Sequence, residues 1–197
     1  MNLIDRVKNI LVTPKTEWMV IDAETATPQS LLTGYVLPLT IIYSLGSLLA
    51  GLFWAGGLGL QYFLVLTVIK FVSAMISFYI SAYVIDMLAP SFSSEKNINK
   101  SAQLVAYSNT PMWIIGLLSF IPGILWLLML AAAVYAIYLM YLGIGPLKKT
   151  PEDKKVVYMI VGFIVIAVIA SIVMYLLGMI IFKILGYGTF GWGFGWY

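Results

Sequence analysis

The sequence has 197 residues, of which 62% are hydrophobic and 10% are charged, and its formal net charge is +3. About a quarter of the residues of a typical soluble protein are charged. The composition therefore excludes a soluble domain and predicts an integral membrane protein. The absence of cysteine and histidine excludes disulfides, thiolate or imidazole metal sites, cysteine nucleophiles and histidine-based catalytic triads.

Residues 1–30 form a predicted arm before the first apolar run, and their pattern is that of an amphipathic helix. Apolar residues recur there at helical spacing opposite polar ones: Leu3, Ile4, Val7, Ile10 and Leu11 against Asp5, Arg6, Lys8 and Asn9. Such a helix either lies on the membrane interface, with Trp18 as an interfacial anchor, or packs against the inner face of the helix bundle. The sequence leaves both placements open.

Five apolar runs follow the arm, and each has close to the 20 or so residues that a membrane-spanning helix needs. They cover residues 31–54, 60–88, 103–120, 124–142 and 156–182. Between them, the uncharged strings WAGGLG and IPG predict tight turns that join the first pair and the second pair of helices. The predicted fold class is all-α: a polytopic membrane protein with five transmembrane helices and an N-terminal amphipathic helical arm.

The basic residues predict how these helices are oriented. Nine of the eleven lie in the arm and in the connections after the second and fourth runs: Arg6, Lys8, Lys15, Lys96, Lys100, Lys148, Lys149, Lys154 and Lys155. Five crossings place all nine on one side, which the positive-inside rule makes cytoplasmic. The N-terminus is therefore predicted to be cytoplasmic and the C-terminus to lie on the opposite side. Because topology accounts for the positive charge, no nucleic-acid partner is expected.

Residues 183–197 form a predicted non-cytoplasmic tail rich in glycine and aromatic residues. Trp192 and Trp196 are predicted interfacial anchors, because aromatic rings concentrate at the membrane–water boundary. The alternative for the same pattern is a platform that binds a ligand.

The second run carries a polar stripe. Lys70, Ser73, Ser77 and Ser81 fall on about a third of the helix circumference. The serine spacing permits close helix packing, and a polar conduit is the alternative. An ammonium at the depth of Lys70 costs about 2.5–3.5 kcal/mol on insertion scales, so it either meets a partner or extends toward the outer surface. No carboxylate shares its depth, so a partner has to be a hydroxyl, a carbonyl or an amide.

Prolines interrupt the third and the first runs. Pro111 cannot donate a hydrogen bond to the carbonyl of Tyr107, so the third helix is predicted to kink there, with Ser108 and Asn109 among the local donors. Pro38 has the same effect in the first helix, where Tyr35 lies one turn earlier: the sequence reads YVLP. Together with the serine stripe, these residues predict a polar pocket that faces the cytoplasm. The alternative is that the polar side chains only hold the helices together.

Four stretches of the chain resemble a known family. RVKNILVTPKTEW, YVLP, LVAYSNTPMW and YAIYLMYLGIGPLKKTPEDKKVVY are similar to the bacterial branch of the YIP family, whose eukaryotic members are Rab-interacting Golgi and ER proteins. The resemblance extends over nearly the whole chain up to about residue 186. It implies five spans, a cytoplasmic N-terminus, no enzymatic activity and the bacterial cytoplasmic (inner) membrane.

In eukaryotic members the resemblance implies trafficking and membrane-shaping roles through protein partners. Two differences limit what transfers to this chain. Only about 30 residues precede the first apolar run, in place of a long cytosolic region, and no Asp-Leu-Tyr-Gly-Pro segment is present. Rab binding is therefore not expected.

Three functions are compared on this basis. The first is a non-catalytic membrane scaffold or adaptor whose partners are the lipid bilayer, a second copy or other membrane proteins. The second is a small transporter or channel, which Lys70→Leu tests through loss of flux. An enzyme is not expected, because hydrolysis at membrane depth needs paired carboxylates, a metal or a Ser–His pair. No metal or cofactor is predicted, and the sequence does not identify a small-molecule ligand.

Overall fold

The computed structural model describes residues 2–54, 59–121 and 125–184, and each described element is helical. The helices are α1 Leu3–Val12, α2 Pro14–Ala23, α3 Pro28–Leu31, α4 Leu37–Trp54, α5 Gly59–Leu88, α6 Ile98–Ser108, α7 Thr110–Gly116, α8 Leu125–Lys148 and α9 Glu152–Ile184. A π-helical segment, Leu32–Val36, joins α3 to α4, and 3-10 turns follow α5 and α7. The two predicted tight turns lie mostly outside the described residues, as does the tail after residue 184 with Trp192 and Trp196.

Four helical stretches are long and apolar enough to cross a membrane: Pro28–Phe53, Tyr62–Phe92, Leu125–Lys148 and Glu152–Ile181. They correspond to four of the five predicted spans. The other predicted span, 103–120, is not one helix, because it is divided into α6, α7 and the 3-10 turn Leu117–Phe120. A third span made of a single continuous helix is therefore not present in the described part of the chain.

The divided segment nevertheless extends along its neighbours. At one end, Lys148 Nζ donates to the carbonyl of Asn97, the residue before α6, at 3.3 Å. At the other end, the rings of Phe53 and Phe120 lie 5.9 Å apart, so α4 and the 3-10 turn finish at the same level. Since α8 starts four residues after Ile121 and ends beside Asn97, the segment runs antiparallel to α8 over most of its length of about 36 Å.

Close contacts define the remaining packing. A Cβ atom on Gly46 of α4 would lie 2.2 Å from the carbonyl oxygen of Gly116 in α7, so these two backbones touch and the position requires glycine. Helices α5 and α9 are antiparallel, since Ser73 Oγ contacts Met174 Sδ and the Tyr158 hydroxyl donates to the carbonyl of Ile85.

The arm packs against one end of this bundle, called here the arm end. Ile10 of α1 and Ile21 of α2 are fully buried, and the Tyr135 hydroxyl donates to the carbonyl of Leu11 at 2.7 Å. Of the two placements left open by the sequence, the structure therefore has the arm on the bundle. Arg6, which the sequence pattern puts on the polar face, is also buried because two carboxylates neutralise it.

The structure corrects the prediction that Trp18 is an interfacial anchor. Its side chain is 1% exposed and packs against Gly143 of α8, where a Cβ would lie 2.7 Å from the indole ring. Its ring also meets Tyr107 edge-on at 6.3 Å. Trp18 therefore belongs to the core that joins the arm to the bundle.

Candidate functional site

At the helix break, a side chain satisfies the backbone carbonyl that Pro111 leaves without its usual donor. Thr110 Oγ1 donates to the carbonyl of Tyr107 at 2.7 Å, and Asn109 Nδ2 donates to the carbonyl of Val105 at 2.8 Å. Pro111 frees the Tyr107 carbonyl, so the Thr110 hydroxyl replaces the missing helical hydrogen bond inside the protein, whereas the Val105 carbonyl also keeps its bond from the Asn109 backbone N–H. Pro111 itself is buried at the start of α7.

Tyr35 ties the first span to this break. Its hydroxyl lies 2.7 Å from Thr110 Oγ1, and its ring meets the Tyr107 ring edge-on at 4.7 Å. Tyr35 belongs to the π-helical segment that precedes the half-buried Pro38, so the first span widens its turns just before its proline. The two proline regions thus pack against each other.

A cavity of about 220 Å³ lies between α5, α6, α7, α8 and α9. Four residues of the predicted polar pocket line it: Ser77, Ser81, Ser108 and Asn109. Ser108 is 3% exposed, and among the described residues its Oγ has no hydrogen-bond partner. The other walls are apolar and include Phe78, Trp113, Ala136, Met140, Phe163 and Ile166.

Lys70 and Ser73 lie on the same helix as the cavity serines but contact other groups. Lys70 Nζ donates to Ser47 Oγ of α4 at 2.7 Å and lies 5.9 Å from the centre of the Tyr43 ring. Its partner is a hydroxyl, and the side chain is directed toward α4. Ser73 contacts Met174 Sδ at 3.4 Å.

A second, polar pocket of about 530 Å³ lies at the arm end. Tyr35 and Tyr107 line it, together with Arg6, Glu24 and Ser30. Arg6 donates to Glu17 Oε1 at 2.5 Å and to the carboxylate of Glu24, and its guanidinium lies 5.3 Å from the centre of the Tyr107 ring. The residues predicted to form one pocket are therefore divided among this arm-end pocket, the internal cavity and the surroundings of Lys70.

The structure also reveals a buried ionic cluster that the sequence analysis does not identify. Lys148 is completely buried, and its Nζ donates to Asp86 Oδ1 at 3.1 Å and to Ser101 Oγ at 2.7 Å. Ser101 in turn donates to Asp86 Oδ1 at 3.0 Å. The three residues join α5, α6 and α8. The cluster could not be predicted from the sequence because its three residues are far apart along the chain, although Asp86 and Lys148 each lie near the end of a recognisable helix.

Further charges attach the arm to the bundle. Asp22 pairs with Lys149 at 3.0 Å and with Lys100 at 3.4 Å, and Gln103 Nε2 donates to the carbonyls of Ile21 and Glu24, each at 3.3 Å. Partial burial raises the pKa of the Asp22 carboxyl, but the hydrogen bonds and charges of Lys149 and Lys100 outweigh it. The pKa of Asp22 therefore lies below its ordinary value.

Comparison with known proteins gives one match. A family model described as the Yip1 domain matches residues 8–175, which include α2, the helix break and the lining of the internal cavity, whereas Arg6 of the arm-end pocket lies just before the matched range. Searches of curated proteins and of solved structures found no match.

Proposed function

The chain belongs to the Yip1 domain family, and from that membership we propose that it is a non-catalytic membrane scaffold or adaptor that acts through protein or lipid partners. The observation that carries the proposal is the docked arm. The Arg6–Glu17 ion pair joins α1 to α2, and the buried Trp18 together with the Asp22–Lys100 pair holds the arm against the bundle, so the arm presents a defined surface.

That surface includes large apolar side chains that the bundle does not cover. Ile4 is 77% exposed and Val12 is 69% exposed on α1, and Met19 is exposed on α2. Exposed apolar groups beside a charged framework are typical of surfaces that contact other proteins or lipid headgroup regions. The adaptor role is assigned to this face.

Photo-crosslinking in native membranes tests the adaptor proposal. A photoreactive residue at Val12 or Met19 is expected to give discrete adducts that the same group at Val134, an exposed position on α8, does not give. Arg6→Met leaves the buried Glu17 unpaired and loosens the arm, so the adducts should be lost. Equal adducts at all three positions, or adducts unaffected by Arg6→Met, would contradict the proposal.

Loosening of the arm can be measured directly, because the chain has no cysteine. A cysteine introduced at the buried Ile10 position is expected to react slowly with a thiol reagent. Arg6→Met should raise its reaction rate by about tenfold or more, since breaking a buried ion pair costs several kcal/mol. The same cysteine at the exposed Val12 is the control, and its rate should not change.

The proposal includes the membrane topology. We place the protein in the bacterial branch of the family and in the cytoplasmic membrane, with five crossings, the N-terminus in the cytoplasm and the C-terminus on the opposite side. Two observations support the fifth crossing: the divided segment runs alongside α8 from Asn97 to the level of Phe53, and nine of the eleven basic residues then share one side.

Single cysteines test this topology in intact cells with a membrane-impermeant thiol reagent. A cysteine in place of Ile121 should react in intact cells, whereas one in place of Lys8 should react only after permeabilisation; both residues are exposed. Reaction of both from the same side would contradict five crossings.

The internal cavity favours a second candidate function, a small transporter or channel. Its hydroxyl groups lie inside the bundle, as a polar pocket for a solute requires. Ser108→Val removes the unpartnered hydroxyl and reduces the space, so flux of a transported solute should fall while folding persists. Lys70→Leu provides the comparison, because Lys70 contacts α4 outside the cavity and flux should then be retained.

A further inference from the structure

The internal cavity has the chemistry of a binding site for a particular kind of molecule. Ser108 Oγ is buried without a hydrogen-bond partner among the described residues, and it lines the same space as Ser77 and Asn109. A buried hydroxyl that bonds to nothing is unfavourable unless another group satisfies it. The cavity therefore offers a hydrogen bond that the described protein groups leave unused.

Size and charge narrow the class of ligand. An apolar cavity of about 150 Å³ is enough to hold benzene, and this cavity is about 220 Å³. The lining residues in the described part of the chain carry no charge, and most are apolar, such as Phe78, Met140 and Ile166. An ion there would lose its hydration without a counter-charge, so a neutral molecule of about the size of one ring fits best.

Access is available from the membrane. A groove of about 580 Å³ lies between α8 and α9 and is lined by residues that include Val134, Ile137, Ile160 and Ile164. Phe163 lines both this outer groove and the internal cavity. The groove residues are largely exposed, so they face lipid when the helices cross a bilayer. Phe163 is therefore a residue that the lipid-facing groove and the cavity share.

We propose that the cavity binds a neutral, mostly apolar molecule with one hydroxyl or carbonyl oxygen, which enters from the bilayer between α8 and α9 and bonds to Ser108. Neutral apolar molecules concentrate in the hydrocarbon, next to this entrance. This proposal names the class of ligand for the transporter or channel proposed above, and its biological role depends on that second candidate function. Binding itself does not require transport.

The test uses the full chain in lipid nanodiscs and two probes of nearly equal size, 4-fluorophenol and 4-fluorotoluene. Binding is followed by fluorine NMR, with protein-free nanodiscs to subtract partition into lipid. One additional hydrogen bond predicts that the phenol binds about 2- to 10-fold more tightly than the toluene. Ser108→Ala should reduce this ratio to about one while the toluene still binds.

Further variants separate the site from general effects. Ala136→Leu fills the cavity from α8 and should abolish binding of both probes; Ser77→Leu fills it from α5 if the first variant does not fold. Ser171→Ala is the matched control, because Ser171 is an exposed serine that donates to the carbonyl of Ala167 on α9, and the ratio should be unchanged. Phe163→Ala should speed exchange of the probes.

Equal affinity for the two probes in the unaltered protein would overturn the proposal, as would a ratio that Ser108→Ala does not change. Absence of protein-dependent binding of either probe would also overturn it. Failure of the transport function is distinct, because it appears as an absence of solute flux while the binding ratio and its Ser108 dependence remain.

Discussion

Two lysines in different regions of the molecule, the buried Lys148 and the half-buried Lys70, have different partners. Lys148 at the arm end is fully buried and donates to the carboxylate of Asp86 and to Ser101. Lys70 lies on α5 further from the arm end than Asp86, and it donates to the hydroxyl of Ser47 and lies over the Tyr43 ring. No ion pair joins Lys70 to a carboxylate within residues 2–54, 59–121 and 125–184.

The contrast extends to the surroundings of each lysine. At the arm end, carboxylates pair with cations from other helices, so charge joins the elements and limits their movement. Deeper in the bundle, hydroxyl groups predominate, and Ser44, Ser108 and Ser119 each have an Oγ without a partner among the described residues. Pairs of carboxylates and lysines are therefore concentrated at the arm end, whereas buried polar atoms without a partner among the described residues occur in both regions, since Trp18 Nε1 and Gln103 Oε1 at the arm end are also among them.

The largest expected effect is at the arm end. Lys148→Met leaves Asp86 buried without its cation and should lower the free energy of unfolding by about 3–5 kcal/mol. Denaturation by SDS in mixed micelles measures this loss. The control is Lys149→Met, since Lys149 is an exposed residue in a surface pair with Asp22 and should lose only about 0–1 kcal/mol. Equal losses would contradict the larger contribution of the buried Lys148–Asp86 pair.

Lys70→Met should have the opposite sign. Replacing an ammonium that has only a hydroxyl partner removes a desolvation cost of about 2.5–3.5 kcal/mol at membrane depth, so the free energy of unfolding should rise by up to that amount. The same SDS titration measures it. Because Ser47 loses its donor, Lys70→Met combined with Ser47→Ala is the accompanying variant. A clear loss of stability in both would mean that Lys70 has a stabilising partner.

Gly46→Ala tests the contact between α4 and α7. The added Cβ would lie 2.2 Å from the backbone oxygen of Gly116, so the helices must separate and stability should fall by about 1–3 kcal/mol. Gly34→Ala is the matched control within the first span, because no atom lies within 4 Å of its added Cβ. Thermal unfolding of both variants in detergent distinguishes them, and equal midpoints would contradict the close approach.

The smallest expected effect concerns pH. The folded-state pKa of Asp22 is depressed, so its stabilising contribution is present above the unfolded value of about 3.9 and is lost as the pH falls through the folded pKa. For a partly exposed pair this contribution is about 0–1 kcal/mol. The difference in thermal midpoint between the unaltered protein and Asp22→Asn should therefore begin to shrink as the pH falls below about 5 and should disappear once the pH is below the folded-state pKa. A constant difference would exclude Asp22 as its source.

Particular residues show how much of the candidate site could be predicted from the sequence. Of the donors predicted near Pro111, Asn109 bonds to a nearby carbonyl, whereas the Ser108 hydroxyl has no partner among the described residues and Thr110 supplies the second bond. A hydroxyl partner for Lys70 also follows from the absence of carboxylates at its depth. Grouping Lys70 with Ser77 and Ser81 in one pocket is wrong, because residues on one helical stripe face different neighbours when those neighbours change along the helix.

Trp18 and Arg6 show what the sequence could not predict about the packing of the arm. Their sequence pattern allows either an interfacial helix or one packed on the bundle, and in the structure both residues are buried. Periodicity identifies the faces of a helix but not the surface against which each face packs. Arg6 is buried only because Glu17 and Glu24 reach it from other parts of the arm.

The sequence by itself determined that this is an all-helical membrane protein and where its long apolar helices lie, because hydrophobicity and run length are local properties of the chain. Only the tertiary structure decided that the third segment is divided, that Lys148 meets Asp86, and that a cavity forms beside Ser108. These features depend on the rotation and contact of helices that are distant in sequence, which local patterns do not specify.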